Sequence, residues 1–196
     1  MGLQHSYALL APLYDAAIAR VTAPLRRASL EHLPHPRKVV LLPGIGTGLD
    51  VPLLPKGNRY VGVDLTRAML QRVPPDHPNL ALVRGNVMRL PFPDASFDAA
   101  VLHFILAIVP DAQRLLAETA RVLKPGGLVL VLDKFLRPGE LSLVRRALSP
   151  ITARIATRLD VVFEEVLPAA PSLKVVADQP LLAGGWVRAI RLKKRS

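Results

Sequence analysis

Short apolar runs alternate with segments of helical periodicity along most of this 196-residue chain. The runs are rich in valine, leucine and alanine, which is typical of strands buried on both faces of a parallel sheet. The strands predicted before residue 135 are Lys38–Leu42, Arg59–Asp64, Ala81–Arg84, Phe97–His103 and Leu128–Lys134. The alternation of strands with helices indicates an α/β fold built from βαβ units.

Two helices are predicted between these strands. The first is Arg67–Val73, which Thr66 can cap and which ends before Pro74. The second is Asp111–Leu123, whose apolar residues recur at the spacing of one helix face. A turn is expected directly after it at Lys124–Gly127, because a proline followed by two glycines does not continue a helix.

The C-terminal part of the chain has a different pattern. Gly139–Leu159 is predicted to be an amphipathic helix with arginines beside its apolar face, divided near Pro150. A short helix at Val161–Leu167 and strands at Leu173–Asp178 and Trp186–Leu192 follow it. The chain is therefore expected to form a single domain of about seven strands.

Composition favours a folded protein without a membrane-spanning segment. Hydrophobic residues make up 51% of the chain and the mean hydropathy is +0.31. The longest apolar run, Ala99–Val109, is shorter than the roughly 20 residues of a spanning helix, so it predicts a buried strand and its exit loop. Cysteine is absent, which excludes disulfides and thiolate metal sites, and no metal is expected. The first residues do not resemble an export signal, so a cytoplasmic location is expected.

The chain is strongly basic. Lysine and arginine total 26 against 15 acidic residues, which gives a formal net charge of +11. Such a charge favours phosphates, whether on nucleic acid or on anionic lipid headgroups. Composition alone leaves both open, together with a basic surface that has no particular partner.

A glycine-rich turn follows the first predicted strand: Gly44, Ile45, Gly46, Thr47 and Gly48. Glycines let the backbone come close to a ligand, and a helix that begins after such a turn presents free N–H groups. Asp64, at the end of the second predicted strand, is expected beside this turn, where a carboxylate can accept hydrogen bonds from a ribose. Together these residues predict a site for a nucleotide-like cofactor.

Two further segments complete a recognisable set. Residues 90–98 read LPFPDASFD and residues 121–127 read RVLKPGG. With the glycine turn and Asp64, in this order and spacing, residues 38–134 resemble class I S-adenosylmethionine-dependent methyltransferases. The resemblance implies a Rossmann-like, seven-stranded, mostly parallel sheet with an antiparallel last strand and helices on both faces. It also implies S-adenosylmethionine as cofactor and S-adenosylhomocysteine as product.

The resemblance divides the single domain, residues 1–196, into functional parts. Residues 1–30 would form a lid or helical segment, residues 38–134 the cofactor-binding half, and residues 135–196 the substrate-side helices and closing strands. The glycine turn would line the methionine end of the cofactor, Asp64 would bind the ribose, and the next residues would surround the adenine. The implied cofactor-binding residues are Gly44, Ile45, Gly46, Thr47, Gly48, Asp64, Leu65, Met69, Asn86, Val87 and His103.

Leu42 departs from the family pattern. Many members have at this position an acid that helps to hold the methionine end of the cofactor, and leucine forms no hydrogen bond with it. Either the contact comes from elsewhere, with Asp50 a candidate, or cofactor binding is weakened. A catalytically silent, cofactor-binding partner protein therefore stays open as an alternative.

The N-terminal segment bears on the substrate. Residues Tyr7–Asp15 resemble the opening of bacterial phospholipid N-methyltransferases and of ubiquinone and menaquinone C-methyltransferases, where such a segment covers the cofactor. Tyr7 and Tyr14 would orient the acceptor, or would only pack. The first choice of substrate is the amine of a phosphatidylethanolamine-like lipid, reached at the inner face of an anionic membrane. C-methylation of a quinone or other small aromatic is the alternative, and nucleic acid is not expected as a partner.

His103 is the candidate proton acceptor. An ammonium acceptor must lose a proton before it is methylated, and His103 ends the fourth predicted strand with an imidazole suited to that role near neutral pH. A core histidine without a catalytic role is the alternative. The catalytic hypothesis predicts that His103→Ala lowers turnover more than cofactor affinity.

Overall fold

The fold was taken from a computed structural model, which describes residues 20–75, 77–136, 161–182 and 186–196. The strands are β1 (Val39–Pro43), β2 (Arg59–Asp64), β3 (Leu80–Arg84), β4 (Phe97–His103), β5 (Leu123–Lys134), β6 (Leu173–Leu182) and β7 (Val187–Lys194). The helices are α1 (20–30), α2 (Arg67–Leu70), α3 (Ala112–Val122) and α4 (Phe163–Val166), with short 3-10 turns at Val51–Leu53 and Leu167–Ala169.

The strands form one seven-stranded sheet in the order β3-β2-β1-β4-β5-β7-β6. Strands β1 to β5 pair in parallel, and β7 runs antiparallel to both β5 and β6. The predicted mostly parallel sheet with an antiparallel last strand is confirmed. Because the strand order reverses between β1 and β4, their carboxyl ends form the crevice where α/β sheets usually bind ligands.

Helices cover both faces of the sheet, as the resemblance implied. Side chains alternate between faces along a strand, so Val40 and Leu42 of β1 join an apolar cluster with Leu30 of α1. Leu41, between them, joins the cluster on the other face, which includes Leu115 of α3. Burial of each such leucine contributes about 1.5–3 kcal/mol to folding.

Several predicted boundaries differ from the observed ones. Strands β2 and β4 match the prediction, whereas the helix predicted over Arg67–Val73 already ends at Leu70. Strand β6 continues past Asp178 to Leu182, because an edge strand tolerates Pro180. The helix predicted over Gly139–Leu159, together with Tyr7 and Tyr14, lies outside the described residues.

Strand β5 begins at Leu123, not at Leu128 as predicted. Leu123 pairs with Phe97, and the regular register resumes where Leu128 pairs with Ala99. The expected turn at Lys124–Gly127 is therefore an irregularity within the strand, where Gly126 takes a φ of +75°.

The LPFPDASFD segment is held by α3. Arg121 donates hydrogen bonds to the carbonyls of Leu90 and Phe92 and to the carboxylate of Asp94. Glu118 accepts from the backbone N–H of Leu90 at 2.8 Å. These contacts give the segment a structural role in fixing the connection from β3 to β4.

Candidate functional site

The glycine turn leaves β1 at the carboxyl edge of the sheet. The backbone N–H groups of Gly44 and Ile45 both donate to the carbonyl of Val63, at 2.7 and 3.1 Å. Gly44, Gly46 and Gly48 all have positive φ angles of +67°, +56° and +81°, which a residue with a side chain adopts only with strain. The turn is thus fastened to β2 by its first residues.

Gly44 and Gly46 meet different surroundings. A Cβ atom at Gly44 would lie 2.3 Å from Cδ1 of Ile105, so this glycine is required by packing. A Cβ at Gly46 would meet only the carbonyl oxygen of Gly44, at 4.0 Å, so this glycine borders open space. A side chain at position 46 would occupy this space, whereas glycine leaves it open to a ligand.

Asp64 connects the end of β2 to the glycine turn. Its Oδ2 accepts from the backbone N–H of Gly46 at 3.0 Å, and its Oδ1 accepts from that of Thr66 at 2.9 Å. The structure therefore brings these two predicted residues together. Each carboxylate oxygen keeps a further lone pair for a hydroxyl of a ligand.

The predicted adenine-side residues lie at the same edge of the sheet. Leu65 and Met69 are 63% and 39% exposed, so both present apolar side chains to solvent there. Asn86 is exposed and accepts from the N–H of Met88 at 2.9 Å, whereas the Val87 side chain is buried in the core. Ile45 also packs inward, against Gly62.

A second polar cluster lies beside the glycine turn, on the face covered by α1. The carboxylate of Asp50 accepts from Nη1 of Arg26 at 2.8 Å and from Nδ1 of His103 at 2.8 Å. Nε2 of His103 lies 2.9 Å from Oγ of Ser29, and Nε of Arg26 donates to Oγ1 of Thr22 at 3.1 Å. We call these five residues the Asp50 cluster. It joins α1 to the loop after the glycine turn and to the end of β4.

Electrostatics fix the protonation of Asp50. Burial tends to raise the pKa of its carboxyl, but His103 and Arg26 outweigh burial and lower the pKa from 3.8 to about 2. Asp50 is therefore a carboxylate near neutral pH, and Nδ1 of His103 must carry the proton that it shares with Asp50.

This arrangement limits what His103 can do. The side chain is fully buried, and its other nitrogen, Nε2, faces Ser29 of α1. Within the described residues, Nε2 has Ser29 as its hydrogen-bond partner. The catalytic role of His103 stays a prediction, while its observed contacts are those of a residue that positions Asp50.

Leu42 has an apolar environment in place of the expected acid. Its side chain is 2% exposed and belongs to the apolar cluster with Leu30 and Val51. Sequence reasoning did not identify Arg26 and Ser29 as partners of this region. The segment Arg26–Leu30, RRASL, has two arginines and a serine but no recognisable motif, and only the docking of α1 shows that Arg26 and Ser29 face this region.

The residues present fit S-adenosylmethionine. The open space at Gly46 admits a ligand next to the backbone, Asp64 offers a carboxylate for hydroxyls, and Leu65 and Met69 form an apolar ledge for a base. The Asp50 cluster adds both a cation and an anion at the same edge of the sheet.

Comparison with known proteins agrees with the fold. A family model described as "Methyltransferase domain" matches residues 41–131, from β1 into β5. Together with the 32% identity to a methyltransferase that covers 93% of both chains, this match shows that the chain belongs to the class I S-adenosylmethionine-dependent methyltransferases.

Particular relatives extend the similarity beyond this region. The chain is 32% identical over 190 residues to a phosphatidylethanolamine N-methyltransferase of Cereibacter sphaeroides, covering 93% of each chain. It is 31% identical over 162 residues to a demethylmenaquinone methyltransferase of Streptomyces avermitilis, covering 78% of this chain and 69% of that one. A Haloferax volcanii methyltransferase solved with the activator Trm112 superposes with a TM-score of 0.78 at 19% identity, over 96% of this chain and 97% of that one, which supports the fold.

Proposed function

We propose that this methyltransferase N-methylates the amine of a phosphatidylethanolamine-like lipid headgroup at a membrane surface. The observation that carries the proposal is the 32% identity to the Cereibacter sphaeroides enzyme, which extends over 93% of both chains. Similarity confined to the cofactor half would say little about the acceptor, because methyltransferases share that half and differ around it. Here the similarity also extends beyond residues 38–134, into segments that the resemblance assigns to the substrate side.

The described residues offer specific cofactor contacts. The glycine turn, Asp64 and the ledge of Leu65 and Met69 would hold S-adenosylmethionine, which supplies an activated methyl group when bound. The chain's own contribution is alignment of the acceptor with that group and exclusion of water, and alignment is a major source of rate acceleration in a displacement. Tyr7 and Tyr14 are proposed to take part in orienting the acceptor.

Charge and exposed apolar residues support approach to an anionic membrane. The net charge is +11, and the exposed residues of α1 include Arg20, Val21 and Arg27. Ile108, in the loop after β4, is 54% exposed. Basic residues beside exposed aliphatic ones are the combination that attracts a protein to anionic lipid. No helix within the described residues has the length and apolarity to span a bilayer.

Transfer of a labelled methyl group tests the substrate. The purified protein is given S-adenosylmethionine with a labelled methyl group and one of three acceptor pools: a total lipid extract, tRNA, or soluble metabolites. The proposal expects label in the lipid fraction, and specifically in mono- and dimethylated phosphatidylethanolamine. Label in a quinone instead would support C-methylation.

Two controls make the outcome decisive. Asp64→Ala removes the proposed ribose ligand and should abolish label in every pool, whereas Asp94→Asn changes an exposed carboxylate of the β3–β4 connection and should not. Cofactor binding without label in any pool would indicate the catalytically silent alternative and contradict the proposed activity.

A further inference from the structure

The amino-acid end of S-adenosylmethionine carries both an ammonium and a carboxylate. A partly desolvated site must provide opposite charges for both groups, since an unpaired charge removed from water is costly. Leu42, where many family members have an acid, provides none and is buried among aliphatic side chains. The charges must therefore come from another part of the chain.

The Asp50 cluster lies where such charges are needed. Strands β1 and β4 pair in parallel with Leu41 opposite Ala100, so His103 lies beside the start of the glycine turn. Asp50 follows Gly48 closely in sequence and bonds to His103, so its carboxylate lies at the same carboxyl edge of the sheet. Asp64 approaches the turn from the β2 side and bonds to Gly46. The two carboxylates thus serve different sides of the turn.

We propose that Asp50 and Arg26 bind the amino-acid end of the cofactor, with the carboxylate of Asp50 receiving the ammonium and the guanidinium of Arg26 receiving the carboxylate. This ion pair would replace the strand-end acid that position 42 lacks. The inference rests on the proposed use of S-adenosylmethionine, and it makes α1 part of the cofactor site.

The pair is held ready for such a ligand. His103 is hydrogen-bonded to Asp50, and Thr22 is hydrogen-bonded to Arg26. The Arg26 guanidinium also stacks on Phe104, 4.9 Å from the ring centre. Without ligand the two charges satisfy each other at 2.8 Å, which avoids the large cost of a buried unpaired charge. The side chain of Asp50 is 15% exposed, so part of it can be reached by a ligand.

The capacity for additional hydrogen bonds is also present. A carboxylate accepts about four hydrogen bonds and a guanidinium donates five, more than the contacts described above use. The ligand's zwitterion can therefore bridge the two side chains without first breaking the contacts that position them.

A series of truncated ligands tests the assignment by calorimetry. S-adenosylhomocysteine has both charged groups, its decarboxylated form keeps only the ammonium, and methylthioadenosine lacks the amino-acid end altogether. Asp50→Asn should weaken binding of the first two by about 10- to 100-fold and leave methylthioadenosine unchanged. Arg26→Gln should weaken S-adenosylhomocysteine by a similar factor and leave both truncated ligands unchanged.

Asp98→Asn is the matched control. Asp98 pairs with Lys124 at 2.9 Å near the start of β4, at the opposite edge of the sheet, and its loss should leave all three affinities unchanged. Equal losses for methylthioadenosine and S-adenosylhomocysteine in the Asp50 and Arg26 variants would overturn the inference, since such losses indicate a general disturbance.

The test separates this inference from the proposed function. If the unaltered protein binds none of the three ligands, the cofactor assignment itself fails. If it binds them and the variants do not discriminate among them, only the present inference fails. Should Asp50→Asn not fold, a crystal structure of the unaltered protein with S-adenosylhomocysteine decides the matter: the ligand ammonium lies within hydrogen-bond distance of Asp50, or it lies elsewhere and the inference is wrong.

Discussion

At the scale of single residues, residues of one sequence motif can have different structural roles, because their surroundings differ. Gly44 and Gly46 belong to one motif, yet packing against Ile105 requires the first and open space borders the second. His103 ends β4 as expected, but its nitrogens face Asp50 and Ser29. Individual substitutions can therefore distinguish binding from structural roles.

The two glycines should respond differently to alanine. Gly44→Ala adds a methyl group that overlaps Ile105 at a φ of +67°, and we expect a loss of about 2 kcal/mol or more in the free energy of unfolding. Gly46→Ala should cost only about 1 kcal/mol, from backbone strain, but should weaken S-adenosylhomocysteine because the methyl group enters the open space. Urea unfolding and calorimetry measure both, and identical profiles for the two variants would contradict the distinction.

The contacts of His103 change the expectation for its substitution. Because His103 donates to Asp50, we expect His103→Ala to lower cofactor affinity by about 10-fold in addition to any effect on turnover. His77→Ala is the control, since that ring packs against Tyr60 at 5.1 Å, away from the glycine turn. Unchanged cofactor affinity together with reduced turnover would favour the original catalytic interpretation of His103.

At the scale of elements, the site depends on how α1 and the loop after β4 are attached to the sheet. Helix α1 is fixed by apolar contacts around Leu30 and by the polar contacts of Arg26 and Ser29. The loop after β4 is fixed by Asp133 of β5, which accepts from the backbone N–H of Ala107 at 3.2 Å. Each attachment can be tested by one substitution, at Leu42 for α1 and at Asp133 for the loop after β4.

An acid introduced at position 42 should not gain the cofactor contact that an acid makes there in other family members. In Leu42→Glu the carboxylate would lie in the apolar cluster beneath α1, where an unpaired charge costs about 3 kcal/mol or more. We expect a lower melting temperature and no gain in affinity for S-adenosylhomocysteine, with Leu42→Met as the volume-matched control. Tighter binding by Leu42→Glu would show that the usual acid site is still available.

Asp133 predicts a pH dependence of stability. Burial raises the pKa of its carboxyl from 3.8 to about 6, although backbone N–H groups of Lys134 and Ala107 oppose the shift. Because the folded state holds this proton more tightly than the unfolded state, the stability contributed by Asp133 is greatest below pH 3.8 and is lost as the pH rises to about 6.

Asp133→Asn isolates this contribution. We expect the difference in the free energy of unfolding, unaltered protein minus variant, to fall as the pH rises across this interval. Any pH-independent effect of the asparagine on stability shifts this difference by a constant and does not change its slope. Urea unfolding at a series of pH values measures the difference. A difference that is flat or rises with pH would contradict the raised pKa.

At the scale of the whole molecule, the parallel sheet and the net charge determine what the protein can approach. The sheet gathers the glycine turn, Asp64 and the Asp50 cluster at one edge. The net charge of +11 favours association with anionic partners. A lipid substrate would need both features together.

Binding to vesicles tests the proposed attraction to anionic membranes directly. We expect the protein to sediment with phosphatidylglycerol vesicles at about 0.05 M salt and to be released at about 0.5 M, because screening shortens the range of the attraction. Phosphatidylcholine vesicles are the neutral control, and Arg27→Glu on the exposed side of α1 should weaken binding to the anionic ones. No sedimentation with anionic vesicles at low salt would defeat the proposed membrane approach.

The sequence by itself determined the class of fold and the position of the candidate cofactor site. Apolar runs and glycine turns are local signals, so β2 and β4 were predicted with their observed boundaries, and Asp64 was expected beside the glycine turn where it lies. Local signals also explain the errors: Lys124–Gly127 has the composition of a turn, but pairing of Leu123 with Phe97 extends the strand across it.

Only the tertiary structure decided how position 42 can be a leucine. The docking of α1 buries Leu42 and brings Arg26 and Ser29, from a segment without any motif, against Asp50 and His103. No local pattern encodes these contacts, because they join three parts of the chain that are distant in sequence and are set by the packing of a helix on a sheet. The charges proposed for the methionine end of the cofactor are therefore brought together by the fold as a whole.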